Sequence, residues 1–370
     1  MRTHTRTALG AATALAAAVV LALSLSPTAT SADASQAPGQ SSGLSWKRVD
    51  LPHSHQSLRG LDAVDAKTAW VSGDDGGVWR TTDGGKTWKD RRPDAEKPLA
   101  YRDVEADSAQ VAQVLAIGPR GQSRIYKTTD GGKTWDLTFK NTEATAFYDC
   151  LAMFPDGEHG FAMSDPVDGK FRIIVTKNAG DTWKKTDPAG MPKAKDGEFG
   201  FAASGTCAVT AGIQDAWIAS GGTASRVFHS TDYGLTWTVA TTSIPPNADG
   251  GGVFSLAFRS SKVGIAVGGN FLEEDNGKKM TARTSDAGST WARGGNVSGY
   301  RSGVAWVPFS TTAIAVGPSG TDVSTDGGKT WTPIGSTGFH AVQCVGTLST
   351  MCWASGPDGM VGKLVGLPKG

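Results

Sequence analysis

One eight-residue signature occurs six times in this chain, and its recurrence limits the fold more than any other feature. The copies are TTDGGKTW from Thr81 and from Thr128, TKNAGDTW from Thr176, STDYGLTW from Ser230, TSDAGSTW from Thr284 and STDGGKTW from Ser324. Their starts are 47, 48, 54, 54 and 40 residues apart. Self-similarity at such a period calls for a repeat architecture with one supersecondary unit per copy. Within a copy, Asp83 and its equivalents can accept hydrogen bonds from backbone N–H groups just downstream, as in an Asx turn. Gly85 and its equivalents can adopt positive φ, and the closing Trp opens the next strand. Asn178 stands where the other copies carry Asp and keeps an acceptor oxygen. One carboxylate per turn falls short of the roughly six to eight oxygens that calcium takes, so the turns read as structural.

A second recurring element sets the number of units. Short apolar strands ending in Gly or Ser appear as AWVSG (69–73), VLAIG (114–118), GFAMS (160–164), AWIAS (216–220), GIAVG (264–268), AIAVG (313–317) and CWASG (352–356), seven in all. The Trp residues that open a final strand also number seven: Trp46, Trp88, Trp135, Trp183, Trp237, Trp291 and Trp331. Trp46 has no signature before it, and the last apolar unit has none after it. The two defects complement each other if the N-terminal strand completes the C-terminal unit. Such closure leaves no open edge to template aggregation. The sequence therefore predicts an all-β fold: a single seven-bladed β-propeller of four-stranded antiparallel blades over 44–370, closed by the N-terminal strand joining the C-terminal blade.

The first 34 residues read as a secretory signal. Arg2 and Arg6 precede the apolar stretch Ala11–Leu25, and cleavage is expected near Ala32 or Ala34, giving a secreted protein. Residues 35–43 read as a flexible linker. The formal charge of +1, close to neutral once the leader is lost, argues against nucleic-acid binding or a polybasic membrane role. The apolar core of the leader is too short to span a bilayer, so no membrane span is expected. Four cysteines suit an exported chain. Three pairings are possible. The strand positions favour Cys150–Cys207 between the innermost strands of neighbouring blades and Cys344–Cys352 within the last blade. Neither C-x-x-C pairs nor His residues spaced with the thiols occur, so no metal and no cofactor are expected.

The face opposite the signatures carries the variable loops, Lys184–Phe199, Thr238–Gly251 and Gly269–Lys279. In repeat folds such loops gather on the binding face. Aligning the starts of the innermost strands as LRG (58–60), YRD (101–103), FYD (147–149), FAAS (201–204), VFS (253–255), YRS (300–302) and FHA (339–341) puts Arg59, Arg102, Tyr148, Phe254, Arg301 and His340 around the channel mouth. Arg59, Arg102 and Arg301 are candidate anchors for an anion, since guanidinium presents a planar fork to carboxylate or phosphate. Asp103, Asp149, Tyr148 and His340 are candidate acid, base or nucleophile groups for glycosidic chemistry. An alternative reading makes the Arg and Asp residues ion pairs around a wet channel. Secondary candidates are His53 and His55, Asp165 and Asp168, and the acidic run Glu273, Glu274 and Asp275.

The signature S/T-x-D-x-G-x-T-W resembles the Asp-box, or BNR repeat, of sialidases and related propellers. The six boxes, with YRD (101–103) and YRSG (300–303), resemble the photosystem II stability/assembly factor family over the whole mature length. That resemblance implies a seven-bladed propeller; in photosynthetic members it is an assembly chaperone rather than an enzyme. Sialidases pair their boxes with an F/Y-R-I-P motif, whereas this chain has only FRII (171–174), so their catalytic residues do not carry over. No G-x-S-x-G elbow with its strand-to-helix turn, no H-E-x-x-H and no Walker pattern occurs; the string GQSSG (39–43) falls in the expected linker. Two functions follow as expectations. One is a secreted, monomeric propeller that binds a partner protein or acidic glycan through its upper face. The other is a glycoside hydrolase or polysaccharide lyase acting on an acidic sugar.

Overall fold

The computed structural model describes residues 43–51, 54–346 and 350–367. The expected leader, most of the expected linker, and His53 lie outside these residues. Seven four-stranded antiparallel blades succeed one another, and no α-helix occurs among the described residues. Blade one shows the plan, with strands Leu58–Ala63, Ala69–Gly73, Val78–Thr81 and Lys89–Asp90 running from the channel outwards. In blade seven the inner strands are Ala341–Val345, Met351–Ser355 and Met360–Val365, and the outer strand is Ser45–Asp50 from the other end of the chain. Ser45 pairs with Val365 and Asp50 with Met360 in an unbroken antiparallel ladder. The Trp46 indole also donates to the Thr321 hydroxyl of blade six at 2.9 Å. The ring is thus closed by hydrogen bonds between the two ends of the sequence.

Each box turn forms the same clasp. The Thr81 hydroxyl donates to Asp83 Oδ1 at 2.9 Å and accepts from Gly85 N at 2.9 Å. Asp83 in turn accepts from Thr87 N at 2.9 Å and from the Thr87 hydroxyl at 2.6 Å. Asn178 preserves the turn: its Oδ1 accepts from Thr182 N and its amide donates to the Thr182 hydroxyl, each at 3.1 Å. Gly84 and Gly85 both have positive φ, yet the first of these positions is filled by Ala179, Tyr233 and Ala287 in other boxes, also at positive φ. The clasp outweighs the roughly 1–2 kcal/mol that a left-handed residue with a Cβ costs.

Box tryptophans pack across blade boundaries. Trp88 of blade one meets Trp353 of blade seven edge-on at 6.0 Å, Trp135 meets Trp70 at 6.1 Å, and Trp237 meets Phe161 at 5.5 Å. Trp70, Trp217 and Trp353, all on second strands, are fully buried between blades. The core is therefore a ring of inter-blade cores, built where β-branched and aromatic side chains alternate inwards.

Two departures from the sequence reading concern the upper face. Residues 201–204 do not begin the innermost strand of blade four; that strand is Ala208–Ala211. Nor is the region between Thr238 and Gly251 one loop. Thr238–Thr241 is the outer strand of blade four, and the inner strand of blade five starts early, as Asn247–Phe258. Its extra length pairs with Gly221–Gly222, which pairs with Glu198–Phe199, giving blade five a six-stranded sheet. A buried ion pair between Arg226 and Glu198 pins this addition to blade four.

Both expected disulfides are present, Cys150–Cys207 and Cys344–Cys352. They span 57 and 8 residues of sequence. In the chain-entropy account, stabilisation grows with the loop closed. Replacing Cys150 and Cys207 by Ser is expected to lower unfolding free energy by about 3–4 kcal/mol and the Cys344/Cys352 double substitution by about 2 kcal/mol. Urea denaturation of the two double variants measures the order, and a larger loss for the short loop would contradict it.

Candidate functional site

A cavity of about 440 Å³ opens at the upper mouth of the channel. Its walls come from an irregularity repeated in four innermost strands. Each strand carries one residue more than its partner near the top, and that residue drops out of the ladder: Arg59, Arg102, Asp149 and Phe254. A bulge breaks the pairing and re-aims the side chain, and all four residues line the cavity. Tyr300 of blade six and His340 of blade seven join them.

Segment 200–206 lines the cavity from below as well as from the side. It leaves the small sheet on blade five and crosses the channel. The Ala203 carbonyl accepts from Arg59 Nη1 at 3.5 Å, and the Ala202 carbonyl accepts from Arg102 Nη1 at 3.2 Å. The Ser204 hydroxyl donates to the Ser302 carbonyl of blade six at 2.7 Å. Gly205, at φ +79°, lies against the Asp103 carboxylate of blade two, where a Cβ would collide. The disulfide through Cys207 ties the end of this segment to Cys150 of blade three.

Arg59 also donates to the Ser57 hydroxyl at 3.3 Å. Among the described residues no carboxylate lies within ion-pair distance of Arg59 or Arg102, and Arg102 Nε has no hydrogen-bond partner. Burial lowers the pKa of both guanidinium groups, and for Arg102 the charge of Arg59 adds to the effect. The His340 pKa is pushed down to about 3, first by burial and then by the charges of Arg59 and Arg102, so its ring is neutral near pH 7. Phe254 stacks on Phe201 with ring centres 3.6 Å apart and meets Tyr300 edge-on at 4.7 Å. The cavity thus presents two unpaired cations beside an aromatic wall.

Residues 39–138 match the family described as photosynthesis system II assembly factor YCF48, and residues 322–333 match the BNR/Asp-box repeat. Among solved structures, the chain is similar to YCF48 bound to D1 peptide, with 16% identity, a TM-score of 0.59, and coverage of 87% of this chain and 97% of that one. It is also similar to YCF48 from Cyanidioschyzon merolae, with 18% identity, a TM-score of 0.58, and coverage of 86% and 98%. This chain is a seven-bladed Asp-box propeller similar to the photosystem II assembly factors. An ancestral GH74 enzyme shares the fold at 12% identity and a TM-score of 0.59, over 85% of this chain and 45% of that enzyme. At these identities the solved structures establish the fold alone. No curated protein matches the chain.

The Asp-box propeller brings together only part of the ring expected from sequence. Arg59, Arg102, Asp149, Phe254 and His340 line the cavity, and so does Asp165. Three residues require correction. Arg301 does not reach the mouth. It is fully buried, and its guanidinium pairs with Asp322, with Nε 2.7 Å from Oδ2, and also bonds Ser298, Ser319 and the Tyr300 carbonyl. Blade six lacks the bulge, so Tyr300 faces the cavity and Arg301 faces its own blade. Tyr148 is buried between blades two and three, where it packs against Phe139 of blade two at 5.0 Å. Its neighbour Asp149 is the bulged residue, so the sequence alignment was displaced by one position there. Asp103 sits below the cavity, where Oδ2 accepts from Leu151 N of blade three at 2.7 Å. The aromatic cavity residues absent from the expected ring, Phe147, Phe201, Phe271 and Tyr300, all sit on upper-face loops or at the strand starts aligned above. Of the secondary candidates, His55 is exposed, the Asp168 side chain is 94% exposed, and Glu274 lines the cavity. Among the described residues, no three His, Cys, Asp or Glu side chains converge to hold a metal.

Asp103 belongs to a buried row on the channel wall with Asp62 and Glu105. Asp62 accepts from Ala106 N at 2.5 Å, and Glu105 accepts from Met153 N at 3.2 Å. Each carboxyl therefore satisfies a backbone N–H of the next blade. Burial pushes Asp62 up to about 6 and Asp103 up to about 7, and raises Glu105 well above its ordinary value. Asp149 and Asp165 are raised in the same way, Asp165 to about 6.

These five groups keep a proton in the folded chain where the unfolded chain, titrating near pH 4, has released it. Folding then takes up protons, and stability falls as pH rises from about 4 through 7. His340 opposes this as a single group, because its lowered pKa makes folding release a proton below about pH 6.5. Box carboxylates have the reverse sign to the five: the hydroxyl and amide of Thr87 hold Asp83 at about 2, so its contribution is lost below about pH 4. The thermal midpoint is expected to peak near pH 4–5 and to decline by several degrees towards pH 8. Asp103→Asn should flatten the decline; a midpoint rising between pH 5 and 8 would contradict the scheme.

The Arg301 pair carries a second expectation. Breaking a buried ion pair strands the remaining charge. Arg301→Ala is expected to cost about 3–5 kcal/mol in urea unfolding, and Arg59→Ala, which strands no charge, less than about 1 kcal/mol. Equal losses would show that Arg301 is not held as described.

Proposed function

We propose that this is an exported, monomeric binding or assembly-type propeller, its leader cleaved near Ala32 or Ala34, that recognises a partner protein through the cavity on its upper face. Arg59 and Arg102 receive an anionic group of that partner. The observation that carries this reading is the pair of half-buried guanidinium groups sharing one cavity, with hydrogen bonds to carbonyls and a hydroxyl and no carboxylate partner among the described residues. Two cations held together with no carboxylate at ion-pair distance repel and are incompletely solvated, and a bound carboxylate would relieve both costs. The similarity to YCF48 bound to D1 peptide supports a peptide or protein partner over a glycan. The hydrolase or lyase reading has less support. Of its four candidate groups, Asp103 and Tyr148 are engaged in blade packing, and His340 is neutral.

Fluorescence anisotropy of acidic peptides with the chain from residue 35 onward tests this. Binding is expected to weaken with salt and to fall roughly tenfold or more in Arg59→Ala and in Arg102→Ala, the scale of one charge-assisted hydrogen bond. Release of reducing ends or unsaturated uronate from an acidic polysaccharide, abolished by Asp149→Asn, would overturn the reading in favour of an enzyme.

A further inference from the structure

The cavity has a second pole, made of carboxyl groups, that the arginine pair does not use. Asp149, dropped from its ladder by the bulge, is only 2% exposed, lines the cavity, and has Oδ2 without a hydrogen-bond partner. A buried carboxyl oxygen left unpartnered is costly and uncommon. Asp165 lines the same cavity and is also dropped from its ladder, at an irregularity in the second strand of blade three. Its Oδ1 accepts from Gly200 N at 2.8 Å, which orients the carboxyl against the crossing segment. The two carboxyl groups act on each other electrostatically. The aromatic wall of Phe254 and Tyr300 belongs to the same cavity as both poles.

We propose that Asp149 and Asp165 form a cation-accepting subsite of this cavity, so that the ligand is zwitterionic. It offers a carboxylate to Arg59 and Arg102, an ammonium nitrogen to the Asp149 and Asp165 carboxyl pair, whose ionised form a bound cation favours, and an apolar surface to Phe254. This rests on the arginine pair being the anion site. The chemistry is that of an amino acid, supplied either free or as a segment of a partner chain carrying acidic and basic groups close together. A volume of about 440 Å³ lies within the usual range for small-ligand cavities.

Calorimetry on the chain from residue 35 onward, with L-phenylalanine, 3-phenylpropionate and phenethylamine, tests the free form. The zwitterion is expected to bind at least tenfold more tightly than 3-phenylpropionate. Asp149→Asn should remove that preference and leave 3-phenylpropionate unchanged, while Arg102→Ala weakens both. Selection from a random peptide display library tests the segment form. Peptides pairing an acidic with a basic residue should be enriched on the parent chain, and Asp149→Asn or Asp165→Asn should lose the basic residue only. Thermal unfolding confirms that each variant is folded, and Asp165→Asn serves if Asp149→Asn is not. Equal affinity for the zwitterion and the plain carboxylate, or enrichment of acidic residues alone, overturns the cation subsite and leaves the arginine reading standing. Absence of any carboxylate preference in both arms overturns the two together.

Discussion

The antiparallel ladder between Ser45–Asp50 and Met360–Val365 is the contact on which the rest depends. Blades contribute to the cavity from both ends of the sequence, Arg59 from the first and His340 from the last. They meet only because the ring is shut. An open ring would leave the edge of the Met360–Val365 strand unpaired, a template for other chains. It would also unseat Trp353, which is packed against Trp88 of blade one. Closure by the two termini therefore sets the geometry of the upper mouth as well as the stability of the fold.

Within that ring the lower and upper faces use different physics. Below, the boxes repeat one hydrogen-bonded clasp six times, tolerant enough to accept Asn178 and three residues with side chains at positive φ. Above, a single extra residue in four inner strands removes a side chain from the ladder and turns it towards the channel. Uniform turns hold the blades in register, and the bulges let neighbouring blades present different chemistry, cationic in blades one and two, acidic in blade three, aromatic in blade five. The buried row Asp62, Asp103 and Glu105 joins these layers, each carboxyl accepting an N–H from the blade beside it.

What the sequence made legible follows from this division. The box signature and the AWVSG-like strands recur once per blade, so the blade count and the closure could be read from their recurrence, and the strand positions they define favoured one of three possible disulfide pairings. The cavity depends on one-residue irregularities, which leave no periodic trace. Arg301 follows an aromatic residue just as Arg102 does, yet blade six lacks the bulge and the side chain turns to Asp322. In blade three the bulge falls on Asp149, one residue past the position that aligns with Arg102, so Asp149 and not Tyr148 reaches the mouth. The crossing of the channel by 200–206 was hidden because FAAS looks like a strand start, while the segment is held by long-range bonds to Ser302, Arg59 and Arg102.

That crossing has a consequence for how anything enters. With Ala202, Ala203 and Ser204 bonded to blades one, two and six, and Gly205 against Asp103, the axis of the ring is barred beneath the mouth. The hollow is a vestibule with a floor, not a bore. A ligand of the proposed kind would not be threaded through it like a cord through a bead; it would dock and withdraw from the upper side, offering a chain end or the tip of a loop.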